Sequence, residues 1–423
     1  MTKIDDMIKD LCPDGVEWKK LWEVTIWDKK FNSVPKFKQQ LVDKYEYLLA
    51  KDLSQMVVSG GDIKILTTSP SNLWTTEYVA GGEFFDKEIV AIPWGGNPIV
   101  QYYKGKFITG DNRIARVKND DELLTKYLYY YLQNNLKLIS SFYRGSGIQH
   151  PDMSKVLDTK IPIPPLEIQE EVVKILDKFT ELTSELTSEL TLRQKQYSFY
   201  RDKLLSFEDE VYQVEWKNLE EVANLVRGPF GGSLKKEMFV SDGYAVYEQN
   251  HAIYGKFIFR YFISSEKYES LQRFSVKSGD LIMSCSGTIG KISIIPDTYK
   301  EGVINQALLK ITPNPNLDKK YLKYYFESVI TQQVNNDSRG GAIKNAASVS
   351  ELKKLKIPVP SLEIQSRIVQ VLDNFDTVCN DLNIGLPKEI ELRQKQYEYF
   401  RDKLLTFTAE GVYTDSTVQT RPD

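Results

Sequence analysis

Histidine is almost absent from this 423-residue chain, with His150 and His251 the only two. Cysteine is nearly as scarce: Cys12, Cys285 and Cys379 are far apart and odd in number. A metal centre of His and Cys ligands needs about four such groups at close spacing, so none is expected. Three scattered thiols suit a reducing compartment, and a cytoplasmic protein is the expectation. No run of 18 apolar residues offers a membrane span, and the opening MTKIDDMIKDLCPDG has no apolar core of the kind a signal peptide carries.

The signatures of common catalysts are missing as well. There is no GxxxxGK[ST] to cradle a nucleotide phosphate and no GxGxxG to open a dinucleotide site. An adenine methyltransferase would carry a glycine-rich cofactor turn and an Asn/Asp-Pro-Pro-aromatic loop; Asn97-Pro98-Ile99 and Asn314-Pro315-Asn316 fall short of that loop. Pro13-Asp14-Gly15-Val16-Glu17-Trp18-Lys19 spells a nuclease-like PD…ExK. A metal-dependent nuclease gathers those groups on one cation, usually from separate strands, whereas here they lie within seven residues. Cys285, in SCSGTIG, has no histidine near it in sequence to activate it. The chain is expected to bind rather than to catalyse.

What is present is a duplication. IPIPPLEIQ at 161–169 recurs as IPVPSLEIQ at 357–365, and LRQKQYSFYRDKLLSF at 192–207 recurs as LRQKQYEYFRDKLLTF at 392–407. A weaker pair, GVEWKKLWEV at 15–24 and QVEWKNLEEV at 213–222, opens each copy. The connecting segments are nearly identical while the blocks between them have diverged. Two copies do not make a solenoid; they imply a pseudo-twofold chain with two similar scaffolds presenting different surfaces. The formal net charge of −3 hides an alternation. Residues 19–156 hold 19 Lys and Arg against 15 Asp and Glu, and residues 217–345 hold 17 against 13, so each block is mildly basic. Residues 157–216 hold 7 against 13 and are acidic.

Each connector begins after prolines that stop a strand, at Pro162, Pro164 and Pro165 or at Pro358 and Pro360. Ile168, Val172, Ile175, Phe179, Leu182, Leu186 and Leu190 then form a seam of three- and four-residue steps. Ile364, Ile368, Val371, Phe375, Val378 and Leu382 repeat it. Such a seam calls for a partner helix, and the other copy is the obvious one. The units TELT, SELT and SELT at 180–191 each add ~6 Å of helix, so Leu182, Leu186 and Leu190 mark a ruler. The second copy carries Leu382-Asn383-Ile384-Gly385-Leu386-Pro387 there instead, and Gly385 and Pro387 should break the helix. Trp18 and Trp216 are expected to anchor the opening strand of each block.

Each block reads as short strands, an aromatic helix (KYLYYYL or KYLKYYF), a glycine-marked loop and the proline stop. The tyrosines fit a helix core better than a stacking platform. Residues 86–103 and 274–295 read as strand–turn–strand, with the tips PWGGNP and SCSGTIGK. Glycine-rich tips let backbone N–H groups approach a phosphate or a base edge. RGSGIQHPD at 144–152 and RGGAIKNAA at 339–347 stand at matching places, with Arg144 and Arg339 able to fork onto a phosphate or guanine. Gln149, His150, Lys344 and Asn345 have the groups to read base edges. The candidate DNA contacts are these residues with Trp94, Gly95, Gly96, Asn97, Lys235, Ser284, Ser286, Thr288 and Lys291.

The motifs IPxPxLEIQ, the seamed helix with xELT units, LRQKQY…RDKLL, and LNIGLPKEIELRQKQY in the second copy resemble the specificity subunits of type I restriction-modification systems. The resemblance implies a mixed α/β chain of two similar target recognition domains separated by long antiparallel coiled-coil helices. Its parts would be an N-terminal helical segment (1–14), a first recognition domain (15–160), a central spacer helix (161–207), a second recognition domain (208–356), a distal spacer helix (357–407) and a disordered tail (408–423). It implies double-stranded DNA, two methylation subunits and restriction subunits as partners. S-adenosylmethionine, ATP and Mg would sit on those partners, with no cofactor or metal on this chain. The alternatives are the DNA-reading subunit of a methylation-only or simpler restriction complex, and a coiled-coil adaptor with no DNA role.

Overall fold

The computed structural model describes residues 3–207, 214–230, 232–285, 290–337 and 349–407; the tail expected over 408–423 lies outside them. The chain divides into two units, Met1–Glu185 with Ile390–Asp423, and Leu186–Glu389.

The first unit opens on the helix Lys3–Leu11, whose Ile4 and Ile8 are buried in the same core as Leu404 and Leu405. Strand β1 (Glu17–Lys20) follows. The main sheet is built from β2 (Thr25–Trp27), β3 (Ile63–Leu66), β4 (Leu73–Thr75), β5 (Phe85–Pro93), β6 (Gln101–Thr109) and β7 (Asn112–Val117), in the order β2-β7-β5-β6-β3-β4. β5 and β6 run antiparallel from Phe85↔Phe107 to Ala91↔Gln101, so the hairpin read at 86–103 is present. The short strands β8 (Tyr143–Arg144) and β9 (His150–Pro151) pair with each other. β10 (Lys160–Ile163) returns to β1, with Trp18 opposite Pro162.

The second unit repeats that closure: β11 (Glu215–Asn218) pairs with a strand at Lys356–Val359 in the same register, with Trp216 opposite Pro358. The backbone ladder does the anchoring, and both tryptophan rings are partly exposed, at 37% and 44%. Between these strands the copies differ. β12 (Ala223–Arg227), β13 (Phe239–Val240), β14 (Tyr244–Tyr247), β15 (Phe262–Ile263), β16 (Leu281–Ser284), β17 (Ile292–Ile294), β18 (Gly302–Ile304) and β19 (Leu308–Pro313) form two sheets. Their orders are β12-β19-β16-β17 and β13-β15-β14-β18, and the strand at Lys356–Val359 is β20.

The tyrosines of the aromatic helices Thr125–Asn134 and Lys319–Asp337 are core, as their pattern indicates, and each hydroxyl has a fixed partner. In the first unit Tyr131 donates to Lys160 O at 2.9 Å and Tyr130 to Asp177 Oδ1 at 2.6 Å. In the second, Tyr325 donates to Lys356 O at 2.8 Å and Tyr324 to Asp373 Oδ1 at 2.7 Å. The glutamine of LEIQ is wholly buried in both copies. Gln169 accepts from Leu124 N and donates to Glu122 O and Pro164 O; Gln365 accepts from Asp318 N and donates to Asn316 O and Pro360 O. A buried amide with every such bond made is stabilising, and with one lost is costly. That accounts for the fidelity of the repeat: the motif locks the start of the spacer helix to the loop before the aromatic helix.

The central spacer is one unbroken helix, Leu166–Ser206. Threonines of its TELT units bond the backbone four residues back, Thr183 to Phe179 O at 2.8 Å and Thr191 to Thr187 O at 3.0 Å. The distal spacer is two helices, Leu362–Asn380 and Leu386–Leu405. They part at Gly385, where a Cβ would come within 2.4 Å of Thr377 O. The connectors meet through aromatic rings: Phe179 stacks on Phe400 at 5.3 Å, and Phe375 faces Tyr197 and Tyr200 at 6.2 and 5.7 Å. The seam itself needs correction. The buried positions along these turns are Ile168, Gln169, Val172 and Leu176 in one copy and Gln365, Ile368, Leu372 and Cys379 in the other. Ile175 is only half-buried, while Val371, Val378 and Leu382 are exposed at 41%, 40% and 72%. The first turns of each connector face the aromatic helix of their own block, and a helix of 3.6 residues per turn cannot hold a 3.5-residue seam toward a second partner there. Leu182, Leu186 and Leu190 are half-buried.

Candidate nucleic-acid interface

In the first unit the two glycine-marked loops come together. The loop after β5 carries Trp94, Gly95, Gly96 and Asn97, and the turn between β8 and β9 runs from Gly145 to Gln149. Gly96 N donates to Gln149 O at 3.2 Å. His150 Nδ1 lies 2.7 Å from Trp94 O, and its ring is 5.1 Å from the indole. Arg144, Gln149, His150, Gly96 and Asn97 are exposed. Arg144 has Asp152 at 3.8 Å, a loose pairing that leaves most of its guanidinium in solvent. Gly96 sits at φ +103, in the region that favours glycine, so the loop is bent by its backbone rather than by packing.

Beneath this corner lies a buried ion pair that the sequence reading missed. Arg113 is fully buried on β7. Its Nη1 donates to Asp28 Oδ2 at 2.9 Å, its Nη2 bonds Asp111, and its Nε has no partner. The guanidinium lies 5.0 Å from the Trp94 ring centre and Lys29 Nζ 5.2 Å from it. Cation–π contacts strengthen when water is excluded, so Trp94 is held between Arg113, Lys29 and His150. Burial pushes the Asp28 carboxyl up to about 6, with Arg113 opposing the shift. The available signal was an arginine among Asn112, Ile114 and Ala115 on a strand whose neighbours are apolar, where a charge needs a partner.

In the second unit Lys291 is exposed beside the end of β16, and Lys235 is exposed with its stem along Gly232. Ser284 is placed otherwise than a DNA contact requires: it is fully buried, and its hydroxyl accepts from Lys291 N at 3.1 Å to close the β16–β17 turn. Ser286, Thr288, Arg339, Lys344 and Asn345 lie outside the described residues. Arg227 stands 5.8 Å over the exposed ring of Phe230 at the end of β12.

The catalytic strings gain no support from their surroundings. Lys19 bonds Glu122 and lies 3.5 Å from Glu17, while Asp14 is exposed. Among the described residues no group of three or more His, Cys, Asp and Glu is placed to hold a metal. Burial pushes the Cys285 thiol up, away from the thiolate a nucleophile needs. His251 is buried in the second unit, accepting from Glu248 N and bonding Ile258 O. No described helix is long and apolar enough to cross a membrane.

The family model described as the type I restriction modification DNA specificity domain matches the chain twice, over residues 23–193 and 212–392. The type I restriction enzyme EcoR124I/EcoR124II specificity subunit of Escherichia coli is 39% identical over 309 residues, covering 68% of this chain and 72% of that protein. The S subunit of a type I restriction-modification system from M. genitalium has a similar fold, with a TM-score of 0.53 at 16% identity over 95% of this chain and 97% of that one. A chain from a structure of complex assembly and conformational transition in the type I system gives 0.56 at 15% identity, covering 93% and 98%. At such identities the solved structures speak for the fold, while the two family matches and the E. coli relative carry the assignment. This chain, with its duplicated motifs and paired scaffolds, belongs to the family of type I restriction-modification DNA specificity subunits.

Proposed function

We propose that each unit reads one half of a bipartite DNA target and that the spacer helices set the gap between the halves. The observation that carries this is the convergence of residues 94–97 and 144–150 on one exposed corner of the first unit, over a rigid buried floor. Such a corner presents Arg, Gln, His and Asn side chains and free backbone N–H groups, the chemistry that reads base edges and phosphates. The tetrapeptide units of the central helix act as the ruler. The connectors also dock two methylation subunits, which supply S-adenosylmethionine and adenine methylation, and restriction subunits with ATP and Mg join that core. This chain holds no cofactor and performs no chemistry, and it works in the cytoplasm. The mild basicity of each block suits a subunit whose partners supply much of the phosphate contact.

Exchanging residues 19–156 for the block of another such subunit tests the modular reading. Adenine methylation mapping should show one half of the target changed and the other kept. A change in both halves, or in neither, overturns it. An adaptor without a DNA role predicts no sequence-specific binding even with the methylation partner present.

A further inference from the structure

The turn between β8 and β9 carries a side chain that a purely polar reading of this corner leaves unused. Ile148 is 70% exposed, between Gly147 and Gln149. Its backbone is held firmly. A Cβ on Gly145, at φ +140, would meet Ile148 O at 2.6 Å, so the turn closes only around glycine. A Cβ on Gly95 would meet the Ile148 Cγ2 methyl at 2.9 Å, so Gly95 leaves the seat against which the side chain leans. The next two residues are tied to the opposite loop, through Gly96 N to Gln149 O and through His150 to Trp94 O. A β-branched side chain has few rotamers of its own, and here it is also backed from behind.

A single exposed isoleucine needs no explanation by itself. This one stands among Arg144, Gln149 and Asn97, on a corner otherwise made of donors and acceptors. In the major groove, base edges offer donors, acceptors and one apolar group, the C5-methyl of thymine. A methyl surface seated flush against Gly95 fits that group; a wedge between base pairs would have to stand clear of its own support. We propose that Ile148 makes an apolar contact with the C5-methyl of a thymine, fixing one base pair of the half-site read by the first unit. This rests on reading that unit as a half-site reader.

The test uses the full chain reconstituted with its methylation subunits and a duplex carrying the mapped target. Each thymine of the half-site is replaced singly by deoxyuridine, which removes only the methyl, and binding is measured by competition at fixed salt. One position should weaken the wild type about four-fold, the worth of one buried methyl group. Ile148→Ala should bind the thymine duplex about as weakly and lose nothing further with uracil, while Ile148→Val should keep part of the discrimination; unchanged melting temperatures show that both fold. A half-site without thymine, no uracil-sensitive position, or a sensitivity that persists in Ile148→Ala overturns the proposal. Arg144→Ala and Gln149→Ala on the same duplexes separate the two levels. If they shift base preference and Ile148→Ala does not, the thymine contact alone fails. If none of the three shifts it, the half-site reading of this unit fails and takes the contact with it.

Discussion

Replacing Arg113 by methionine removes the charge that holds Asp28 and Trp94 while keeping most of the side-chain volume. The expected cost depends on pH. The Asp28 carboxyl is raised by burial from its ordinary 3.8 to about 6, so the folded state holds its proton more tightly than the unfolded chain. A raised folded value contributes stability at low pH that is lost as pH rises through it. Here that loss, about 3 kcal/mol, falls between about pH 4 and pH 6 and is complete above it. Without Arg113 the largest opposition to the burial is gone, with the Ile114 N–H and Lys29 still lowering it, so the carboxyl rises further and the loss continues above pH 6. Breaking a buried pair costs about 3–5 kcal/mol when the remaining group stays charged. The gap between wild type and Arg113→Met should therefore widen by up to ~2 kcal/mol from pH 6 to pH 7.5, at ~1.4 kcal/mol per unit. Urea unfolding of both proteins across that range measures it. A gap that stays constant with pH would refute the reasoning, because the damage would then be packing alone. The same variant should lose base preference in one half of the target only, since Trp94 loses the floor beneath it.

Gln169→Leu leaves the Leu124 N–H and two carbonyls without their partner, a loss of roughly 2–3 kcal/mol in denaturant unfolding; Gln365→Leu should match it within experimental error, and a large asymmetry would contradict the equivalence of the two clamps. Deleting Ser188–Thr191 shortens the central helix by ~6 Å and turns it by ~40°, so methylation mapping should show a shorter gap, by about two base pairs, between unchanged half-sequences. Arg144→Ala should lower the slope of log affinity against log salt by about 0.9, as one lost phosphate contact does, and an unchanged slope would remove it from the phosphate-binding set.

The architecture was legible because its framework is written twice. A nine-residue motif repeated at a fixed distance marks a structural joint, and LEIQ proves to be one: its glutamine satisfies three backbone groups that a loop cannot satisfy alone. The aromatic helices were readable as core for a related reason, since four tyrosines in five residues cannot all face water. The seam was read less well. Periodicity reports which residues are apolar, but a spacer helix has two neighbours, its own block and the other connector. The alternation of steps cannot say which neighbour takes which turn. Leu176 and Leu372 went inward because the block's helix claims that face first.

The proposed reading surface was legible only as loops. The loops at 94–97 and 144–150 announce themselves through glycine, and the structure shows why: a side chain at Gly95 would collide with the facing loop, and one at Gly145 with the backbone of its own turn at Ile148. The support beneath them has no such signature. Asp28, Arg113 and Trp94 come from three strands or strand ends, distant in sequence, and only folding puts a buried carboxylate against a buried guanidinium. Between the two units this support is not repeated: Gly228, whose N–H bonds Leu308 O as that of Asp28 bonds Ile114 O, stands where Asp28 does, tight against Asn305 O, and Ala307 precedes Leu308 where Arg113 precedes Ile114. A scaffold duplicated in its joints and unrepeated beneath its tips is what two readers of different sequences require. Divergence below the surface lets each tip adopt its own shape without disturbing the repeated joints.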